Sequence, residues 1–200
     1  FSRLSVASKG IDLDRETVEV NGARIEDAVV DVALNDSVPE DTTKSENHWK
    51  IHIDQANIVR SDVTLHMPGD SMSVAMHFGD LAAREALIDL DTQTYTVANV
   101  GWTNGAVSYD QNYQPRIEGL DYNHLDLTNV NISIDSIYYH DPTLRLTVHN
   151  MAMREKSGLQ ITHFSGPVIM ENGSIRLPHF QLKTPESAIS IELDLPLSLT

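Results

Sequence analysis

Residues 188–200 read Ala-Ile-Ser-Ile-Glu-Leu-Asp-Leu-Pro-Leu-Ser-Leu-Thr, and this stretch decides the fold class. Ile189, Ile191, Leu193, Leu195, Leu197 and Leu199 alternate with Ser190, Glu192, Asp194, Pro196 and Ser198. A period of two sends every aliphatic side chain to one face of a strand and every polar one to the other. The alternation recurs upstream. Trp49, Ile51 and Ile53 interleave with Lys50, His52 and Asp54; Val63, Leu65 and Met67 with Thr64 and His66. Met72, Val74, Met76 and Phe78 follow the same rule, as do Leu125 with Leu127, Ile132 with Ile134, and Leu144, Leu146 and Val148. Ile175 with Leu177 and Phe180 with Leu182 complete the series.

Turn signals separate these runs. Asn21-Gly22, Asn104-Gly105 and Asn172-Gly173 suit the positive φ angles of a type I′ hairpin turn. Pro68-Gly69-Asp70, Asp141-Pro142 and Ser157-Gly158 are further breaks. One short helix is expected at 80–87, where Ala82, Ala83, Arg84, Glu85 and Ala86 cluster; the same stretch also reads as a strand corner. Residues 38–47 are polar, contain Pro39 and lack periodicity, so they read as an exposed loop.

The chain has 200 residues, enough for one large domain or two small ones. Hydrophobic residues make up 40% and charged residues 22%, which excludes wholesale disorder. Lys and Arg total 14 against 29 Asp and Glu, a formal net charge of −15. So acidic a surface repels phosphate backbones and anionic lipid heads, which argues against nucleic-acid binding. With no cysteine there is no disulfide, thiolate metal site or thiol nucleophile. No apolar run reaches the roughly 20 residues of a membrane helix. The chain opens at Phe1 without a signal peptide and reads as an excised segment of a longer protein.

The strands repeat at a higher level. Ile51, Ile53, Asp54, Val63, Leu65 and Met67 align on Ile132, Ile134, Asp135, Leu144, Leu146 and Val148, about 81 residues later. Tyr95, Val97, Val100 and Trp102 align on Ile175, Leu177, Phe180 and Leu182, and Ala106-Val107 on Ala188-Ile189. Asp54 and Asp135 then occupy equivalent positions, each expected to end a strand. The division read from this is N-terminal strands and a loop over 1–47, a first β repeat over 48–119 and a second over 120–200, in one continuous sheet. The expected class is all-β: repeated antiparallel strands in an elongated curled sheet, a trough, with at most one short helix.

The chemistry of the chain points away from catalysis. Of nine histidines, His52 and His66 are expected to face each other across a hairpin, with Asp54 and Lys50 on the same polar face. No HExxH or helical metal spacing accompanies them, so they read as solvated strand-face residues and no metal site is assigned. GxSxG, SxxK, GxGxxG, Walker and EF-hand patterns are missing. Asp and Glu are numerous but fall on polar strand faces and in turns, so no catalytic residue and no cofactor is assigned and the chain reads as a non-enzyme. Asn131-Ile132-Ser133 and Asn172-Gly173-Ser174 match the glycosylation triplet, which matters only in a eukaryotic secreted protein.

A one-sided alternating sheet must cover its apolar face. Pattern alone favours a sealed core between two sheets; the other reading is a groove for acyl chains, for which the flexible Met67, Met72, Met76, Met151, Met153 and Met170 are suited. Here a resemblance enters. The stretch 115–127, PRIEGLDYNHLDL, resembles the TamB-like proteins of the translocation and assembly module, in the AsmA-like superfamily. So do Ile134-Asp135-Ser136-Ile137-Tyr138-Tyr139, Glu155-Lys156-Ser157-Gly158-Leu159 and Lys183-Thr184-Pro185-Glu186-Ser187. The resemblance covers the chain from about Trp49 onward.

The resemblance implies a periplasm-spanning envelope protein of a Gram-negative bacterium, anchored in the inner membrane, with an apolar β-trough that conducts phospholipid for outer-membrane biogenesis. It also implies an outer-membrane barrel protein as partner, and it moves the balance from sealed core to groove. The residues expected to line that groove are Val63, Leu65, Val74, Met76, Ile132, Ile134, Leu144, Leu146, Ile191, Leu193 and Leu195. The alternative is a protein-interaction scaffold that receives client strands on open sheet edges, and a third is a β-sandwich adhesion module. The open edges also make self-association of the segment an expectation.

Overall fold

The computed structural model describes residues 3–34, 48–69 and 71–196. Their regular structure is eleven strands: β1 (Arg3–Asp12), β2 (Thr17–Glu26), β3 (Val29–Ala33), β4 (Lys50–Met67), β5 (Met72–Asp89), β6 (Thr94–Gln111), β7 (His124–His140), β8 (Thr143–Glu155), β9 (Gln160–Glu171), β10 (Ser174–Lys183) and β11 (Ala188–Pro196). The expected loop at 38–47, and Leu197 and Leu199, lie outside the described residues.

One sheet contains all the strands, in the order β1-β2-β4-β5-β6-β7-β8-β9-β10-β11, with β3 beside β4. From β4 onward each strand pairs antiparallel with the next. β2 and β3 both run parallel to β4, β2 along 50–59 and β3 along 62–66. The break between them is pinned to β4. Arg60 donates from Nε and Nη2 to the Asp27 carboxylate at 2.7 and 3.0 Å, and the Ala28 N–H donates to the buried Ser61 hydroxyl at 3.1 Å. The sheet is open and curled: β1, β3 and β11 each have a neighbour on one side only.

Register explains how so long a sheet keeps one apolar face. A first row of paired residues runs Leu4, Ile25, Ile58, Leu81, Trp102, Ile132, Met151, Phe164, Leu182, Ile189, one from each strand of the path. A second runs Ile11, Val18, Ile51, Ile88, Tyr95, Tyr139, Leu144, Met170, Ile175, Leu195. Directly paired residues share a face of the sheet. In β11 the apolar positions Ile189, Ile191, Leu193 and Leu195 alternate without interruption from one row to the other, so both rows share the same face.

Elsewhere the alternation slips. Apolar positions step by three at Ile53 to Ala56, Val97 to Val100 and Leu177 to Phe180, and neighbouring strands slip at the same height. Glu85, Ser136 and His179, all with positive φ (50°, 56° and 54°), mark this line. A second line carries Asp27, Arg60, Asn104 and Asn129, at 51°, 44°, 52° and 52°. Each such residue absorbs one extra position, as a bulge does, and bends the strand. Ile58 and Val63 sit on opposite sides of Arg60, yet both pack on one cluster, so the apolar face survives the slip.

Five sequence expectations change. Residues 80–87 are not a helix but the interior of β5, bent at Glu85 as the alternative strand reading had it; pairing on both sides overrides the helix propensity of the Ala-rich run. Asn21-Gly22 lies inside β2 and Asn104-Gly105 inside β6, whereas Asn172-Gly173, with φ of 51° and 69°, does form the β9–β10 turn. His52 and His66 stand on the same strand, β4, opposite Leu87 and Ser73, and do not face each other. The repeat register holds only in part. Tyr95 and Ile175 share the second row and Trp102 and Leu182 the first, so β6 and β10 correspond. The other segments do not: 51–67 is one strand, but 132–148 turns at Asp141-Pro142 from β7 into β8, and Ala188-Ile189 belongs to β11. Asp54 and Asp135 are interior strand residues rather than strand ends.

Candidate functional site

The apolar face is a single layer. Only eight hydrophobic residues are buried among those described, and Leu4, Val6, Ile11, Ile189, Ile191 and Leu195 are 40–63% exposed. The accessible surface is 12830 Å², against about 9,400 Å² for a compact monomer of this mass. A sealed two-sheet core would leave the total near the smaller figure.

Of the residues expected to line a groove, Ile132, Leu144 and Leu195 stand in the two rows, and the others lie beside the rows and pair with apolar residues of the neighbouring strands. Val63 pairs with Met76, and Leu65 with Val74. Ile132 pairs with Trp102 and Met151, and Ile134 with Val100 and Val148. Leu144 pairs with Met170 and Leu146 with Val168. Ile191, Leu193 and Leu195 pair with Phe180, Leu177 and Ile175. They do not form one pocket; they are spread along the sheet from β4 to β11.

The deepest part of the face is the cluster of Phe78, Trp102 and Val130, which the sequence reading did not single out. Ile58, Val63, Met76, Leu81, Val107, Leu127, Ile132 and Met153 pack against it. The Phe78 and Trp102 rings lie 5.1 Å apart and tilted by 34°. Phe164 and Phe180 meet edge to face at 4.5 Å further along. Such ring pairs contribute roughly 0.5–1.5 kcal/mol beyond area burial. The Trp102 Nε1 donor is buried with no hydrogen-bond partner.

Beside this cluster a cavity of about 270 Å³ is lined by Leu120, Tyr122, Leu125, Leu127, Met153, Glu155, Leu159 and Ile161. The β6–β7 connection and the β8–β9 turn close its end, and both are held by buried acids. Asp121, 2% exposed, accepts hydrogen bonds from the N–H of Ile117 and Asn123 (3.0 and 3.1 Å) and lies 2.9 Å from His124 Nδ1. The Ile117 N–H above all, with His124 and Asn123, holds the Asp121 carboxyl below its ordinary range. Glu155 accepts from Asp126 N at 3.3 Å and Ser157 N at 2.6 Å. Burial alone pushes its carboxyl up, and the Ser157 and Asp126 hydrogen bonds outweigh that and hold it low. The stretch 115–127 is thus a stapled connection. Its Asp121-x-x-His124 spacing was the signal available in the sequence.

The opposite face is polar and ion-paired. His77 lies 2.8 Å from Asp62 and His149 2.6 Å from Asp135 across neighbouring strands, and Lys156 of the β8–β9 turn lies 2.8 Å from Asp126 of β7. His52, Asp54 and Glu85 bring potential ligand atoms within 4.8 Å of one another. The geometry is that of an ion-pair cluster. His52 turns Nδ1 toward Asp54 (3.8 Å) and Nε2 toward Glu85 (3.5 Å), whereas one ion takes one ring nitrogen. Lys9 already neutralises Asp54 at 2.7 Å. No helix among the described residues is long and apolar enough to cross a membrane. Compared with protein-family models, curated proteins and solved structures, the chain matches none.

Proposed function

We propose that this chain is a non-enzymatic lipid-holding segment whose curled sheet carries phospholipid acyl chains on its apolar face. One observation carries the reading: two rows of ten apolar residues cross the whole sheet, and no second layer among the described residues covers them. An acyl chain laid there exchanges water for methyl and ring contacts, at about 0.8 kcal/mol per buried CH₂. Headgroups remain at the solvent edge, so selection among them is weak. The acidic, ion-paired opposite face keeps the long sheet in water. Placement in the periplasm, with inner- and outer-membrane ends and a barrel partner, rests on the TamB-like resemblance of 115–127 and its companion stretches.

The test is native mass spectrometry on protein purified without detergent, followed by lipid extraction. Phospholipid in discrete mass steps, reduced in Leu146→Glu and Leu193→Glu, supports the reading. Equal lipid loading in folded variants contradicts it. A second reading, a scaffold for outer-membrane protein assembly, is favoured by the open sheet, in which β1, β3 and β11 each have a neighbour on one side only. Capture of a client strand that is lost on edge substitution and indifferent to Leu146→Glu supports that alternative.

A further inference from the structure

Three Asn-Gly dipeptides occur in the chain, at 21–22, 104–105 and 172–173, and the fold treats them differently. An asparagine followed by glycine has a built-in reaction partner: the glycine backbone nitrogen, uncrowded by any Cβ, can attack the asparagine Cγ. Ring closure needs that nitrogen free of a partner and the backbone free to turn toward Cγ. Asn21-Gly22 lies inside β2, between β1 and β4, with Gly22 opposite Ala7. Asn104-Gly105 lies inside β6, between β5 and β7. There Gly105 is buried under the Trp102 ring, and the Asn104 N–H donates to Asn131 Oδ1 at 3.2 Å. Opening either dipeptide means parting strands on both sides.

Asn172-Gly173 is the exception. It is the whole turn of the β9–β10 hairpin, beyond the last ladder pair, Glu171 with Ser174. Both residues are exposed, and the Gly173 N–H has no hydrogen-bond partner among the described residues. Nothing stands within 4 Å of where a Gly173 Cβ would be. The turn can reshape without breaking a strand pair.

We propose that Asn172 is a site of spontaneous deamidation, set apart from Asn21 and Asn104 by this turn. The Gly173 nitrogen loses its proton and bonds to Asn172 Cγ. The Cγ–Nδ2 bond breaks, and the side-chain nitrogen leaves as ammonia, taking up that proton. Water then opens the cyclic imide at either carbonyl. Opening at Cγ gives aspartate; opening at the main-chain carbonyl gives isoaspartate, in which the chain runs on through Cγ. Water enters, ammonia leaves, and nothing is oxidised or reduced. Either product adds a negative charge beside Glu171, which already holds Arg145 of β8 and Arg176 of β10. The isoaspartyl form also lengthens the turn by a backbone atom, next to the pair of Met170 and Ile175. The proposal is independent of the lipid reading.

Peptide mapping by mass spectrometry tests it, on the whole chain held in mildly alkaline heavy-oxygen water, folded in one series and in urea in another. In the folded series Asn172 should take up heavy oxygen at least about tenfold faster than Asn21 or Asn104, as both aspartyl and isoaspartyl peptides. In urea the three sites should converge. Folded protein in which Asn172 stays an amide overturns the proposal. So does conversion of Asn21 or Asn104 in step with Asn172, which means that the fold does not select the turn. Sites that differ in urea as they do in the folded chain owe the difference to local sequence, and that also overturns it. Aspartyl product alone means direct hydrolysis of the side chain and overturns the ring closure.

Discussion

The indole of Trp102 lies on Gly105, three residues further along the same strand. A Cβ built on Gly105 would stand 2.4 Å from Trp102 Cε2, and Gly105 is buried. The second slip line passes here, at Asn104, and turns β6 so that ring and backbone stack. Gly105 is thus the seat of the largest side chain on the apolar face. Gly105→Ala expels the ring from the Phe78 and Val130 contacts, at a cost of about 1–3 kcal/mol. The urea midpoint should fall, and Trp102 emission should shift to the red. An unchanged midpoint would show that the ring is not seated as described.

Trp102→Phe separates packing from hydrogen bonding. It removes a buried donor that has no partner, so the loss should be smaller than for Trp102→Ala, which costs about 3–5 kcal/mol. Equal losses in the two variants would show that a ring at this position adds nothing to the packing on Phe78 and Val130.

Glu155 staples β7 to the β8–β9 turn. Glu155→Ala leaves the N–H groups of the half-buried Asp126 and the exposed Ser157 without their carboxylate acceptor, at about 0.5–1.5 kcal/mol for each hydrogen bond lost. Hydrogen exchange should accelerate at Asp126 and Ser157 before it does in β5 or β6. Uniform acceleration along the chain would contradict a local staple.

Acid should unfold the sheet. Asp27, Asp89, Asp121, Asp126, Asp135, Glu155 and Glu171 are all held below their ordinary values. The main causes are a hydrogen bond from Arg60 on Asp27, from Lys156 on Asp126 and from Arg145 on Glu171. Folded values below the unfolded ones mean that these groups stabilise fully above about pH 5. Their contribution drains away as the pH falls through about 4 and below. The urea midpoint should drop steeply there, and Asp121→Asn should flatten part of that drop. A midpoint that rises below pH 4 would contradict the sign.

Much of the fold was legible because β-sheet burial has a period of two, and runs such as Ile189 to Leu195 and Leu144 to Val148 keep it unbroken. Where a positive-φ residue inserts a step of three, as at Glu85 or Asn104, the alternation breaks and a long strand reads as two short ones. The helix expected at 80–87 came from such a place: Ala and Glu carry helix propensity, and only pairing with β4 and β6 decides otherwise. The aligned slips also misled the repeat register, since the same apolar spacing arises within β4 and across the β7–β8 turn. That the residues expected to line a groove are apolar strand positions was legible, because the alternation marks such positions directly. The Phe78–Trp102–Val130 cluster and the Glu155 staple were not, and of the Asp121 staple only the Asp121-x-x-His124 spacing showed. A lone aromatic or acid in a sequence carries no mark of what the sheet brings next to it.

The central claim is that acyl chains lie on the apolar face, and Trp102 sits in the middle of that face. Trp49 and Trp102 are the two tryptophans, so Trp49→Phe leaves Trp102 as the single reporter. The measurement is quenching of its emission by phospholipid carrying bromine on the acyl chain, added below the concentration that forms vesicles. The account predicts saturable quenching that is weakened by Leu146→Glu. Brominated lipid that co-migrates with the protein and leaves Trp102 emission unchanged would contradict it.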